Sequence, residues 1–492
     1  MSESKQKKII IIGAGFSGMG LAIHLQKSGI RDFAILEKAD EVGGTWRENH
    51  YPGAECDIAS ALYSYSFEHN ADWQYKWAEQ PQIFDYLKGT AKKYNLYEHI
   101  HFATEVASAI YDEQGKCWRL RSVDGEEWCC QFLVAAVGQL HHPFTPEIPG
   151  QSEFKGAQFH SARWQHDVDL SNKHVAVVGN AASALQFIPQ IAPEAAKLTV
   201  FQRGANWVIP KLDRPYAAWE QWLSARVPLV ASYYRFSIWL RNELLIYPIM
   251  QGRRLHCRIG LWMHRRYINK HIGDPVLRAK LTPDYPMGAK RILVSDDYYA
   301  AMARSNVELE VDGIAQVTER GITTTDGRDI PADVIIYGTG FKTNPFLAPM
   351  DIRGVEGRHL RDAWRSGAQA YLGMMTSGFP NLFMLYGPNT NLGHNSIVIM
   401  AESQARYICE AITALGRDGY SAIEVKAEAE QEYNSEMQRR LAKMAWNAIE
   451  ASWYKDGNKI TNNWPGSTYE YICRTRPIVS DFIAVLIPTR LN

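Results

Sequence analysis

Two short runs of small residues, 166 positions apart, have the spacing that lets a chain grip a pyrophosphate. The first, Gly13-Ala14-Gly15-Phe16-Ser17-Gly18, follows Ile9-Ile10-Ile11-Ile12 and leads into a helical pattern from Met19 to Lys27. In such a turn Gly13 makes the reversal, Gly15 lets backbone approach the phosphates, and Gly18 lets the helix lie against its strand, so the anion rests on the helix N-terminus. Glu37, closing Phe33-Ala34-Ile35-Leu36, offers a carboxylate to ribose hydroxyls. The second run, Gly179-Asn180-Ala181-Ala182-Ser183-Ala184, follows His174-Val175-Ala176-Val177-Val178 and carries alanine where the first has its second and third glycines. Ala184 is expected to allow close helix packing, whereas Ala181 is expected to crowd a pyrophosphate. Twenty-four residues beyond each leading glycine the chemistry diverges: Glu37 follows the first, Arg203 the second. A carboxylate suits a free ribose diol and a guanidinium suits a 2′-phosphate. The first site therefore reads as FAD, held by Gly13, Gly15, Gly18 and Glu37, and the second as NADP(H), held by Gly179, Ser183 and Arg203. Two dinucleotides in one chain imply electron transfer between them.

The elements that must hold these turns alternate strand and helix, so the expected fold class is α/β: two Rossmann-like dinucleotide-binding domains with a mainly helical insertion. A chain of 492 residues exceeds what one hydrophobic core usually supports. Val134-Ala135-Ala136-Val137-Gly138 and Val334-Ile335-Ile336-Tyr337-Gly338-Thr339-Gly340 read as strands ending in glycine beside a nucleotide, and Pro143, Pro146, Pro149 and Gly150 as a linker. These marks divide the chain into a discontinuous FAD-binding domain (1–149 and 341–492), an NADP-binding domain (150–207 and 290–340) and a helical insertion (208–289). Between Trp219 and Ile272, aromatics and leucines are interrupted by Arg235 and Arg241, which excludes a membrane span. This stretch reads as helices that cover the sheet and wall a substrate pocket, with weak association at a lipid surface as the alternative. Equal numbers of basic and acidic residues, 53 each, give no electrostatic case for nucleic acid. Seven cysteines without a CxxC pair argue against zinc and against a redox disulfide, so no metal is expected. The short polar stretch Met1 to Lys8 runs straight into the first strand without a cleavage site, which points to a cytoplasmic protein.

Two longer blocks narrow the class. Gly43-Gly44-Thr45-Trp46 leads to Tyr51-Pro52-Gly53 and then Asp57; Phe154, Gly156, His160 and Trp164 stand just before the second glycine turn. Together they resemble the type I Baeyer–Villiger monooxygenases, whose patterns are GGxWxxxxYPGxxxD and FxGxxxHxxxW. Gly288-Ala289-Lys290-Arg291 and Gly387-Pro388-Asn389-Thr390-Asn391-Leu392-Gly393-His394 look like further blocks of that family. One departure is Gln165, where the family usually has proline or aspartate after the tryptophan. The resemblance implies an NADPH-dependent flavoenzyme in which a C4a-peroxyflavin, formed from O2, attacks a ketone to give an ester or lactone. It further implies Arg291 as the cation that stabilises the developing anion, Asp57 as the carboxylate that orients it, Lys290 beside Arg203 at the 2′-phosphate, and Gly44, Thr45 and Trp46 on the cofactor. Trp453 would lie by the substrate, while His160 and Trp164 would couple the domains without donating a proton. Oxidation of a sulfide or amine by the same flavin is the alternative activity, and a flavin-binding module without turnover is the alternative class.

Overall fold

The isoleucine run before the first glycine turn is buried from both sides, with Ile9, Ile10 and Ile11 wholly inaccessible, as a central parallel strand requires. A computed structural model describes residues 4–418, 420–449, 454–476 and 481–486. In it, Lys5–Ile12 lies inside a sheet ordered Asp351–Arg353, Val106–Asp112, Cys117–Ser122, Glu127–Ala135, Lys5–Ile12, Phe33–Leu36, Ile100–His101. All pairings are parallel except the two that involve Cys117–Ser122. Leu382–Met384 also pairs with Glu127–Ala135, so chain from beyond residue 341 returns to this sheet.

The second glycine turn belongs to a separate, wholly parallel sheet ordered Val307–Glu310, Lys197–Phe201, His174–Val178, Val334–Tyr337, Ala157–His160. The two sheets repeat one device. Gly13 (φ 104°) and Gly179 (φ 107°) occupy a backbone region that L side chains avoid, and a Cβ there would stand 2.6 Å from the Ala136 carbonyl oxygen or 2.5 Å from that of Gly338. The two glycine-ended strands singled out in the sequence are therefore the ones that press on the fingerprint turns.

Between the second sheet and the Lys290-Arg291 segment runs a series of helices: Ala218–Arg226, Pro228–Arg241, a π turn at Asn242–Ile246, Tyr247–Met250, Arg254–His271 and Pro275–Lys280. None of the described helices is long and apolar enough to cross a membrane.

The segment around Phe154 to His160 belongs to the second sheet. Ala157–His160 pairs with Val334–Tyr337 as the edge strand of the second sheet. Phe154 is buried against Ala176, Val178 and Ile335. A Cβ on Gly156 would lie 2.1 Å from the Asp333 carbonyl, so the strand can start there only with glycine.

Candidate active site

The first turn is a bare backbone groove. Gly15 is the N-cap of helix Phe16–Lys27 with φ −84° and ψ −170°, and the nearest atom to a Cβ there would be the Gly44 Cα at 3.7 Å. Gly44 itself has φ 52°, and its Cβ would come 3.2 Å from the Gly15 Cα. Two glycines thus face each other with nothing but main chain between them, a fit for a pyrophosphate on a helix N-terminus. Glu37 is buried and accepts the Ala14 and Ala39 amides at 2.8 and 3.0 Å. Arg47 stands 3.4 Å from it. A carboxylate has about four acceptor sites, so these three contacts still leave capacity for a ribose hydroxyl. Thr45 opens the short helix Thr45–Glu48, and the Trp46 indole N–H donates to the Tyr63 hydroxyl at 3.1 Å.

At the second turn the expectation that Ala181 crowds a phosphate meets a simple geometry. Ala181 caps helix Ala182–Ile191 at φ −83° and ψ −165°, the same extended conformation as Gly15, so its methyl costs no backbone strain. Ala184 is wholly buried, and room for it comes from Gly338, where a Cβ would meet the Ala184 Cβ at 3.2 Å. Ser183 lies against the Tyr51 phenol. Arg203 is exposed, and Lys290 sits over the Tyr285 ring at 4.6 Å. Burial and the nearby Arg203 charge, partly offset by Asp284, lower the Lys290 pKa from its ordinary value. Neither cation forms an ion pair among the described residues. Two cations that repel each other across an open site suit a 2′-phosphate.

The Tyr-Pro-Gly block joins these two sites. The Tyr51 hydroxyl donates to Gln186 Oε1 at 2.7 Å, and Gln186 Nε2 donates to the Glu55 carbonyl at 3.0 Å. Gly53 (φ 73°) presses so closely on helix Ala182–Ile191 that a Cβ would be 2.7 Å from the Gln186 carbonyl. Glu55 then pairs with Lys211 at 2.5 Å. Burial pushes the Glu55 carboxyl up to about 7, against the pull of Lys211. Asp57 ends the block at Arg291, its Oδ2 accepting from both Nε and Nη2 at 2.6 Å.

Arg291 is held at three further points in its surroundings. Its backbone N–H donates to the Tyr454 hydroxyl at 3.0 Å, its Nη1 approaches the Leu392 carbonyl at 3.5 Å, and Tyr386 lies close by. Burial works against its charge, yet Asp57 more than offsets this and holds the guanidinium above its ordinary pKa. The side chain retains 29 % of its accessibility, so the fixed cation is open to approach rather than sealed in the core. The Leu392 segment is held by a buried polar network. Tyr386 donates to Asn391 Oδ1 at 2.7 Å, Asn391 donates to Asn463 Oδ1 at 2.7 Å, and Gln139 donates to the Tyr386 carbonyl at 2.8 Å.

His160 Nδ1 accepts the Ala162 amide at 3.1 Å, and the Gly340 backbone also faces the ring. Burial lowers its pKa to about 4, so it is neutral at ordinary pH. Trp164 packs between Phe159 and Phe187 at centroid distances of 5.2 and 5.3 Å. Trp453 lies outside the described residues. Arg291, Asp57 and Lys290 are thus brought to one region, whereas His160 and Trp164 serve the second sheet. Sequence reasoning missed Tyr454, Tyr386 and the Glu55–Lys211 pair; the usable signals were the adjacency of Tyr454 to Trp453 and of Glu55 to Asp57.

Comparison with known proteins gives the same picture along the whole chain. Residues 10–227 match the family model described as pyridine nucleotide-disulphide oxidoreductase. A Baeyer–Villiger monooxygenase of Pseudomonas aeruginosa is 42% identical over 482 residues, covering 96% of this chain and 90% of the relative. Among solved structures, an oxidized steroid monooxygenase bound to NADP superposes with a TM-score of 0.89 at 30% identity, covering 98% of this chain and 100% of that one. A structure titled as the OTEMO complex with FAD and NADP superposes with a TM-score of 0.88 at 29% identity, covering 98% and 100%. A paired guanidinium between two dinucleotide folds, in a chain this similar throughout to its relatives, has one reading: the protein belongs to the Baeyer–Villiger monooxygenases, flavoenzymes that use FAD and NADP(H) to insert oxygen beside a ketone carbonyl.

Proposed function

We propose that Arg291 is the catalytic cation of this enzyme and that Asp57 is its positioning residue. The bound flavin supplies the electrons taken from NADPH and the activation of O2. Arg291 then supplies a permanent positive charge for the negative charge that develops on the reacting oxygen atoms. Asp57 fixes the guanidinium through two bonds to one oxygen, the Leu392 carbonyl limits its swing, and the Tyr454 hydroxyl anchors the main chain of Arg291 through its N–H. That two-point grip on a partly accessible arginine is the observation that carries the reading.

In the same reading Gly13, Gly15, Gly18, Glu37, Gly44, Thr45 and Trp46 hold FAD, and Gly179, Ser183, Arg203 and Lys290 hold NADP(H). Phe154, Gly156, His160 and Trp164 seat the second sheet against the first, with His160 neutral and therefore no proton donor. Trp453, which lies outside the described residues, is assigned to the substrate by the family resemblance alone. The chain divides into an FAD-binding domain (1–149 with 341–492), an NADP-binding domain (150–207 with 290–340) and a helical insertion (208–289), and works in the cytoplasm on a small hydrophobic ketone with O2 as co-substrate. Linear, cyclic, polycyclic and aryl ketones and one thioether, each assayed for NADPH consumed and oxygenated product formed, test this function. Ester or lactone in proportion to NADPH supports it, and sulfoxide without any ester from the panel refutes it.

A further inference from the structure

The helical insertion is turned inside out on one side. In helix Pro228–Arg241 and the π turn after it, Leu229, Tyr233, Phe236, Leu240 and Leu244 recur at helical spacing and are all exposed, Leu229 to 81 % and Tyr233 to 72 %. The buried positions of that segment include Arg235 and Asn242. Arg235 fixes the rotation: its Nη1 donates to the Ala61 and Leu62 carbonyls at 2.9 and 3.1 Å, and its guanidinium faces Glu402 at 3.9 Å. An ordinary amphipathic helix would bury the leucines and expose the arginine.

Neighbouring helices repeat the pattern. In Ala218–Arg226, Trp219 and Trp222 are exposed, and in Arg254–His271 so are Leu255, Ile259 and Trp262 at i, i+4 and i+7. Exposed apolar residues in such number on one segment mark an interaction surface.

Charge identifies the partner. Residues 218–280 hold eleven Lys and Arg against three Asp and Glu, although the whole chain carries 53 of each. Nine of those cations, among them Arg241, Arg253, Arg254, Arg258, Arg265 and Arg266, are exposed and form no ion pair among the described residues. A second copy of the same face would bring like charges together, which disfavours a twofold self-contact. Arginines beside tryptophan and leucine on helices, none of those described long and apolar enough to span a bilayer, are the composition of a segment that lies in the headgroup region of an anionic membrane.

We infer that the helical insertion docks this protein on anionic lipid surfaces, with Leu229, Phe236 and the exposed tryptophans entering the interface and the arginines facing lipid phosphates. Such a surface is also where an oily ketone partitions, so docking would place the enzyme beside its substrate.

The test is co-sedimentation of the purified, FAD-loaded full chain with vesicles of phosphatidylcholine alone or mixed with phosphatidylglycerol, at about 0.02 M and about 0.5 M salt. The inference expects binding to the mixed vesicles at low salt, loss of it at high salt, and little binding to phosphatidylcholine alone. Each neutralised arginine lowers the partition coefficient about fivefold, so Arg258→Gln with Arg265→Gln loses about 25-fold. Leu229→Ser with Phe236→Ser also weakens vesicle binding, leaves the circular dichroism unchanged and leaves ester formation from a water-soluble ketone unchanged. Equal binding to both vesicle types, undiminished binding of the Leu229→Ser, Phe236→Ser variant, or a dimer in sedimentation velocity that this variant dissociates in the absence of vesicle binding would each overturn the inference. The readout is protein on vesicles, so it fails or stands separately from the ketone chemistry.

Discussion

Replacing Asp57 with asparagine keeps the shape of the side chain and removes only its charge. In the native protein one carboxylate oxygen accepts both Nε and Nη2 of Arg291 at 2.6 Å. With charge centres about 4 Å apart and an effective dielectric constant of about 20, the gross attraction is about 4 kcal/mol. Asparagine retains one acceptor oxygen, and both side chains are a little over one-quarter accessible, so solvent screening reduces the loss to roughly 1.5–3 kcal/mol. If that energy serves to keep the guanidinium aimed at the reacting oxygen atoms, kcat for ester formation falls about 10- to 100-fold. Steady-state ester production at saturating NADPH, with FAD occupancy measured on the same sample, is the assay. The KM for NADPH should stay within about twofold, because Asp57 does not touch the second nucleotide site in this reading. An Asp57→Asn enzyme with an unchanged kcat, or one that loses only NADPH affinity, would refute the positioning role.

Three other outcomes follow from the geometry. Arg203→Ala and Lys290→Ala should each raise the KM for NADPH about tenfold or more, the worth of a charge-assisted hydrogen bond, while the KM for NADH hardly moves; equal effects on both coenzymes would remove the 2′-phosphate assignment. Gly18→Ala would put a Cβ 2.0 Å from the Gly13 carbonyl and should prevent folding, whereas Gly15→Ala meets nothing closer than 3.7 Å and should fold but bind FAD poorly, as fluorescence titration of the apoprotein would report. His160 has a native pKa of about 4 against an ordinary value of 6.5. The unfolded chain therefore takes up a proton that the native state does not, so its contribution to stability is complete above about pH 6.5, declines down to about pH 4 and is flat below. Urea midpoints across that window should fall less steeply for His160→Gln, with a slope difference of at most about 1.4 kcal/mol per pH unit.

The features legible in the sequence were those set by contiguous residues. Ile9 to Ile12 and the glycines after them announce a buried strand and a phosphate turn without reference to any distant residue, and Gly53 and Asp57 sit in a block only fifteen positions long. The missed features are pairings across long separations. Tyr454 meets Arg291 from 163 residues away, and Lys211 meets Glu55 from 156 away. That Ala184 allows close helix packing is legible in the sequence, but the residue that makes the room, Gly338, stands on another strand. Ala157–His160 carries no strand signal in the sequence because a four-residue edge strand is too short to show alternation. The small antiparallel sheet Ile314–Thr318, Gly321–Thr324, Asp329–Pro331 escaped notice for the same reason. The outward-facing leucines of Pro228–Arg241 were visible as an apolar run, but their direction depended on the burial of Arg235 against residues 61 to 64.

The most direct test of the whole reading is the ratio of ester formed to NADPH consumed by the FAD-loaded Arg291→Ala enzyme, with Arg291→Lys alongside it. Loss of the fixed cation should lower ester formation by about a thousandfold, the effect of removing a principal electrostatic stabiliser of developing oxygen charge. NADPH should still be consumed, with hydrogen peroxide replacing ester, and lysine should restore little because it cannot make the two-point contact with Asp57. Ester produced by Arg291→Ala at the parent rate, one molecule per NADPH, would contradict the central role of that guanidinium.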